Sequence, residues 1–193
     1  MIANLRPAIV SMVLFTALLG LAYPLGVTGL AQLLFPAQAG GSLIRNAAGG
    51  IVGSRWIGQS FRDEGYLRPR PSAAGEDGYD ASNSSGSNLG PLNQDLAARV
   101  KADAAALRGE SDAPIPVDAV TTSGSGLDPH VSPANAERQV LRIAAARKAP
   151  AAEVQALIAA NTEGSTFGLF GEPRVNVLAV NLALDARWPR AQR

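Results

Sequence analysis

The sequence predicts an α+β protein: one N-terminal transmembrane helix followed by a single mixed extracytoplasmic domain of about three helices with a small sheet. Three observations carry this. No charged residue lies between Pro7 and Ile44, apolar residues recur at helical spacing in the second half of the chain, and short apolar runs of strand length stand beside them. The 193 residues are 47% hydrophobic and 17% charged. A soluble domain carries about 25% charge, and the deficit here sits at the front.

Ala8 to Leu34 is rich in Leu, Val, Ile, Ala and Phe. As a helix it measures about 40 Å, more than the ~30 Å of a hydrocarbon core, so it spans with some tilt. Pro24, with Gly20 and Gly26 nearby, is expected to kink or end a regular helix. Arg6 and the α-amino group precede the span, and the next basic residue is Arg45. That bias places the N-terminus in the cytoplasm and the rest outside. Residues 1–39 therefore form a cytoplasmic tip and transmembrane helix, and 40–193 the extracytoplasmic domain. The rival is a cleaved signal peptide, since Ala37-Gln38-Ala39 satisfies the A-x-A pattern. Its apolar run is far longer than the ~7–15 residues of a signal h-region, which favours a retained anchor.

The domain opens with Leu43-Ile44 and Ile51-Val52 around Gly49-Gly50, which reads as a hairpin. Gly75 to Gly90, rich in Ser, Asn, Gly and Asp, reads as turns. Pro91 suits a first helical position, and Leu92, Leu96, Val100, Ala104 and Leu107 share one face of the helix that follows. Ile115 to Val120 reads as a short strand. Ser132 caps and Pro133 starts a second helix, with Ala136, Val140 and Ile143 inward and an end near Arg147-Lys148. Pro150 opens a third, carrying Val154, Leu157 and Ile158 on one face. Val175 to Leu184 is apolar on both parities, a buried strand or a buried helix. The expectation is a strand running into a last short helix.

Composition removes most chemistries. With no cysteine and one histidine, thiolate and multi-histidine metal sites and a cysteine nucleophile are excluded within the chain. A net charge of +1 gives no nucleic-acid footprint. Ser85 to Pro91 (SGSNLGP) and Ser123 to Pro129 (SGSGLDP) agree at five of seven positions. Such loops present backbone N–H groups to an anion, or else supply turns while Ser and Asn cap the following helix. Neither loop has an accompanying lysine, which favours the second reading. His130 invites a triad with Asp128 and Ser123 or Ser125, yet no G-x-S-x-G elbow exists. Asp128-Pro129-His130 reads better as a turn in which the aspartate bonds backbone N–H groups. Glu163 and Glu172 can form an acid/base pair, with an arginine-paired glutamate (Arg174 the candidate) as the plainer reading. Arg68-Pro69-Arg70-Pro71 either grips an anion or braces the domain. Asn176 and Asn181, in an apolar run, require partners.

Taken in order, the span, Ile57-Gly58-Gln59, RPSAAG (Arg70 to Gly75), Tyr79-Asp80, SSGSNLGP (Ser84 to Pro91), SGSGLDPHVSP (Ser123 to Pro133) and GEPRVNVLAVNLALD (Gly171 to Asp185) resemble the C subunit of the Kdp potassium-transporting ATPase, the KdpC family. The resemblance covers nearly the whole chain and departs locally at Tyr66 to Pro69 and at Ser165-Thr166. It implies an accessory, non-pore, single-span subunit of a high-affinity, ATP-driven potassium uptake complex in the bacterial inner membrane. The implied partners are a channel-like potassium-binding subunit, a P-type ATPase subunit, a very small helical subunit and the lipid bilayer. In agreement, the chain has no D-K-T-G-T phosphorylation motif and no T-V-G-Y-G filter.

Two roles stay open for that family. One is a catalytic chaperone that raises the ATP affinity of the ATPase subunit, for which Gln139 in AERQVLRIAAAR is the nucleotide-contacting candidate. The other is structural, a domain that caps and stabilises the assembly from outside. No cofactor is expected to be held firmly, and ATP enters only through the ATPase subunit. No residue is assigned a catalytic or metal-binding role. Arg70, Ser72, Ser85, Ser87, Asn88, Ser123, Ser125, Asp128, His130, Glu172, Arg174 and Asn176 are expected to build structural loops. The alternative from another class is an exported serine hydrolase cleaved after Ala39, using Ser123 or Ser125 with His130.

Overall fold

The computed structural model describes residues 4–46 and 48–189, so the α-amino group invoked for topology lies outside the described residues. The chain forms two compact units, one reaching to Val52 and the other starting at Gly53.

In the first unit, α1 (Leu5–Leu34) is one helix of 30 residues, apolar and unburied along its length, and about 45 Å long. Pro24 does not end it. The turn immediately before, Leu18–Ala22, is a π-helix in which the Tyr23 N–H reaches back to the Leu18 carbonyl. Widening that turn makes room for the proline ring and the missing N–H. A short α2 (Pro36–Ala39) follows, then the expected hairpin of β1 (Leu43–Arg45) and β2 (Ile51–Ser54), whose last two residues already belong to the second unit. Asn46 closes its turn, its Oδ1 accepting from Ala48 and Gly50 N–H groups.

The second unit is built on a three-stranded antiparallel sheet in the order β3 (His130–Val131), β5 (Arg174–Asn176), β4 (Thr162–Glu163). Val175 stands opposite both Val131 and Thr162. Against it pack α4 (Pro133–Arg138), α5 (Val140–Arg147), α6 (Ala151–Ala160) and α7 (Val177–Arg187). Leu67, Val131, Ile143, Val154, Val180 and Leu184 lie at the centre of the core. The predicted second helix is capped by Ser132, whose Oγ accepts from Asn135 N–H at 3.1 Å. It is interrupted at Gln139 and stops at Lys148, which adopts a left-handed conformation.

Two expectations are corrected. The helix placed at Pro91 starts later, as α3 (Gln94–Glu110). Its cap is Asn93, whose Oδ1 accepts from Asp95 and Leu96 N–H groups, and Leu92 stays exposed outside it. Its face of Leu96, Val100, Ala104 and Leu107 is only half-buried. Ile115 to Val120 is not a strand but a loop with one 3₁₀ turn, Val117–Ala119. Pro114 and Pro116 fix φ and remove ladder donors, and Asp118 is held by Ser132 and Asn135. The expectation for Val175 to Leu184, a strand running into a last helix, holds: β5 ends at Asn176, which caps α7 through Ala179 N–H at 3.0 Å.

Candidate functional site

The two SGS loops meet each other. Ser85 N–H donates to the Ser125 carbonyl at 2.9 Å, and Ser84 Oγ donates to the same oxygen at 3.0 Å. Gly126, at φ +68°, lies so close that a Cβ there would sit 2.5 Å from the Ser85 carbonyl and 2.6 Å from Ala74 Cβ. Only glycine fits both the backbone conformation and the space. The loops therefore form a clasp, and the helix caps expected of them come instead from Asn93 and Ser132. Ser125 Oγ accepts from Leu127 N–H, Ser123 is buried, Ser87 half-buried, and Asn88 exposed at φ +52°.

RPSAAG wraps this clasp. Ser72 Oγ donates to the Gly126 carbonyl at 2.6 Å and accepts from Ala74 and Tyr79 N–H groups. Tyr79 donates its hydroxyl to the Arg70 carbonyl at 2.6 Å. Burial, reinforced by the Asp128 carboxylate, raises that phenol above its ordinary range. Arg70 spends its guanidinium on Asp128 at 3.1 Å and on the carbonyls of Thr121 and Thr122. Burial pushes the Asp128 carboxyl up, but hydrogen bonds from His130 and Arg70, with the Arg70 charge, outweigh it and hold the carboxyl below the usual range. Arg70 thus braces the domain.

Asp128 Oδ1 accepts from His130 N–H at 2.9 Å, the expected turn, and lies 3.5 Å from His130 Nδ1. His130 Nε2 is buried and finds no partner among the described residues. Neither Ser123 nor Ser125 hydrogen-bonds to His130 among those residues, so no nucleophile–base pair is formed. Glu163 is paired by Arg174 at 3.0 Å and by Arg55 at 3.1 Å. Burial raises its carboxyl, and those arginines more than reverse this. Glu172 is exposed. Asn176 donates to the Arg55 carbonyl at 3.0 Å while capping α7.

Two buried amides clip consecutive backbone units. Asn181 accepts from Leu67 N–H at 2.7 Å and donates to the Leu67 carbonyl at 3.0 Å. Gln139 accepts from Arg68 N–H at 2.8 Å and donates to the Arg68 carbonyl at 3.1 Å. Gln139 also donates to Asn135 Oδ1 and accepts from Arg142, so both donors and both acceptor positions of its amide are occupied within the chain.

A feature absent from the sequence expectations completes the surface. Thr166 and Phe170 close a tight hairpin, with Phe167 at φ +55° and Gly168 at +71°. It holds Phe167, Leu169 and Phe170 at 89%, 82% and 68% exposure. The sequence signal was an apolar run flanked by glycines with no alternation to bury it.

Comparison with known proteins shows the family. The family model described as "K+-transporting ATPase, c chain" (KdpC) matches residues 5–186. The chain is 63% identical over 190 residues to a potassium-transporting ATPase KdpC subunit of Caulobacter vibrioides, covering 98% of this chain and 96% of the relative. It is 59% identical to the KdpC subunit of Beijerinckia indica (98% and 96% covered) and 54% identical to that of Koribacter versatilis (96% of each).

Proposed function

This chain belongs to the KdpC family, the c chain of K+-transporting ATPases, and from that premise we propose that it is an accessory subunit holding the assembled transporter together. On this reading α1 anchors it in the inner membrane with Arg6 on the cytoplasmic side. The second unit then stands outside, across the bilayer from the site of ATP hydrolysis. It neither conducts potassium nor hydrolyses ATP; it docks on the channel-like, ATPase and small helical subunits.

The observation that supports this reading is the Thr166–Phe170 hairpin. Phe167, Leu169 and Phe170 stand largely in solvent on a tight turn that carries two left-handed residues, Phe167 and Gly168. Apolar anchors presented this way fit a partner's pocket. Burying them is worth about 1.5–3 kcal/mol per side chain before association costs. The polar clusters support the same role, because their groups are committed to bracing loops and to clipping Leu67 and Arg68.

The test replaces all three side chains (F167S/L169S/F170S) in the whole complex. Capture through the ATPase subunit should recover the variant at least tenfold less well, while its own melting temperature stays unchanged. Normal recovery with normal transport would overturn the reading. An intact complex with a raised KM for ATP would point instead to the catalytic-chaperone role.

A further inference from the structure

An apolar cleft of the second unit, about 670 Å³, lies where the loop after α3 crosses α4, α5 and α6. Pro114, Ile115, Pro116, Val140, Leu141 and Ala151 line it, and so does Arg138. Arg138 is only 9% exposed. One of its terminal nitrogens, Nη2, donates to the carbonyls of Leu107 and Ser111. Its Nε is buried with no acceptor, and no carboxylate pairs with it among the described residues. The other buried arginine, Arg147, has Asp185 at 2.8 Å. A guanidinium nine-tenths buried without a counter-charge is costly and is ordinarily neutralised by a partner anion. Arg138 itself lines this apolar cleft, whose volume is within the size range of small-molecule sites.

We propose that this cleft binds an anionic amphiphile, an acyl chain carrying a carboxylate or phosphate head, with the head on Arg138 and the tail along Ile115, Val140 and Leu141. The lining decides between that occupant and a polypeptide. Two of its residues are prolines, which offer no N–H, and Glu137 and Gln155 at its edge are hydrogen-bonded to each other at 2.6 Å. A peptide laid there buries amides that find few partners. An acyl chain brings no such requirement, and its charged end meets the guanidinium that no carboxylate pairs, while Glu137 at the edge is held by Gln155. Such molecules are abundant beside a bilayer, where α1 tethers this chain. The site is separate from the Thr166–Phe170 hairpin, so it stands or falls independently of the docking reading.

The experiment uses the full chain in phosphatidylcholine nanodiscs and a diazirine-bearing decanoate, with labelled peptides mapped by mass spectrometry. Label is expected on 113–116 and 140–141, competed by decanoate or by lysophosphatidylglycerol. Which of the two competes better identifies the head. Decanol and inorganic phosphate should not compete, since each lacks one half of the ligand. Arg138→Met should weaken labelling at least tenfold. Because Arg138 also holds the end of α3, Leu141→Asp provides a second variant. That side chain is 71% exposed, so the fold survives while a negative charge enters the mouth, and labelling should fall as far. Label confined to the membrane helix, equal competition by decanol, or no change in Leu141→Asp would each overturn the proposal. So would a photo-crosslinker at Leu141 that captures a protein subunit in the assembled complex.

Discussion

Replacing Asn181 by leucine, nearly its equal in volume, should destabilise the second unit far more than its size change suggests. Asn181 is 1% exposed and Leu67 fully buried. The amide meets both backbone groups of Leu67, at 2.7 and 3.0 Å. Leucine leaves a buried N–H and a buried carbonyl without partners. Each orphaned group costs about 1–3 kcal/mol, so the pair costs roughly 4 kcal/mol. For a domain of this size, 1 kcal/mol moves the midpoint by about 2–4 °C. The expected fall is therefore about 10 °C, read on the full chain in a neutral detergent by tryptophan fluorescence. A second expectation follows from adjacency. Gln139→Met frees the backbone of Arg68, the next residue, so the two substitutions share one segment and should combine non-additively. A fall under about 2 °C for Asn181→Leu, with native secondary structure, would refute the claim that this amide holds the Leu67 segment in place.

Other expectations follow. The Asp128 carboxyl lies below its ordinary value in the folded chain. Its contribution is present above the unfolded pKa of about 3.9 and is lost as pH falls through the folded value. Melting temperatures between pH 6 and 2 should show the loss below about pH 4, and Asp128→Asn should flatten that segment of the curve. Gly126→Ala should destabilise by about 3 kcal/mol or more, combining left-handed strain with collision against Ser85 and Ala74. Gly124→Ala, two residues away with open space at its Cβ, should be nearly neutral when both variants are compared by urea titration.

Where sequence and structure agree, the signal was local. Ser132 before Pro133, and Pro150 before a run with Val154 and Ile158, carry cap and periodicity in the same few residues. The apolar span was legible from its lack of charge. Where they part, the deciding partner is distant. Ile115 to Val120 has strand-like composition, but Asp118 is claimed by Ser132 fourteen residues on. The partner of the Gln139 amide is likewise invisible locally, since Arg68 lies 71 residues away. The repeat of SGS-x-L-x-P showed that two loops are alike without showing that they touch. Phe167 to Phe170 is marked only by its flanking glycines, because exposure is a property of the packed chain more than of its composition. Asn176 belongs with the local signals: an asparagine before an apolar run reads as a cap, and it sets the start of α7 at Val177.

The clasp between Ser85 and Ser125 has a consequence for the stretch it encloses. Because those residues are hydrogen-bonded at 2.9 Å, the chain between them leaves the core and comes back to the same point. The helix it carries, α3, contributes no buried residue, and it is secured by outlying bonds such as those from Arg138 and Arg68. The excursion is therefore a detachable handle. It can exchange its amide hydrogens as one cooperative piece while the sheet and α5 to α7 stay protected. It can also lengthen or shorten in descent, or accept a grafted segment, at little more than the logarithmic entropy of a longer loop.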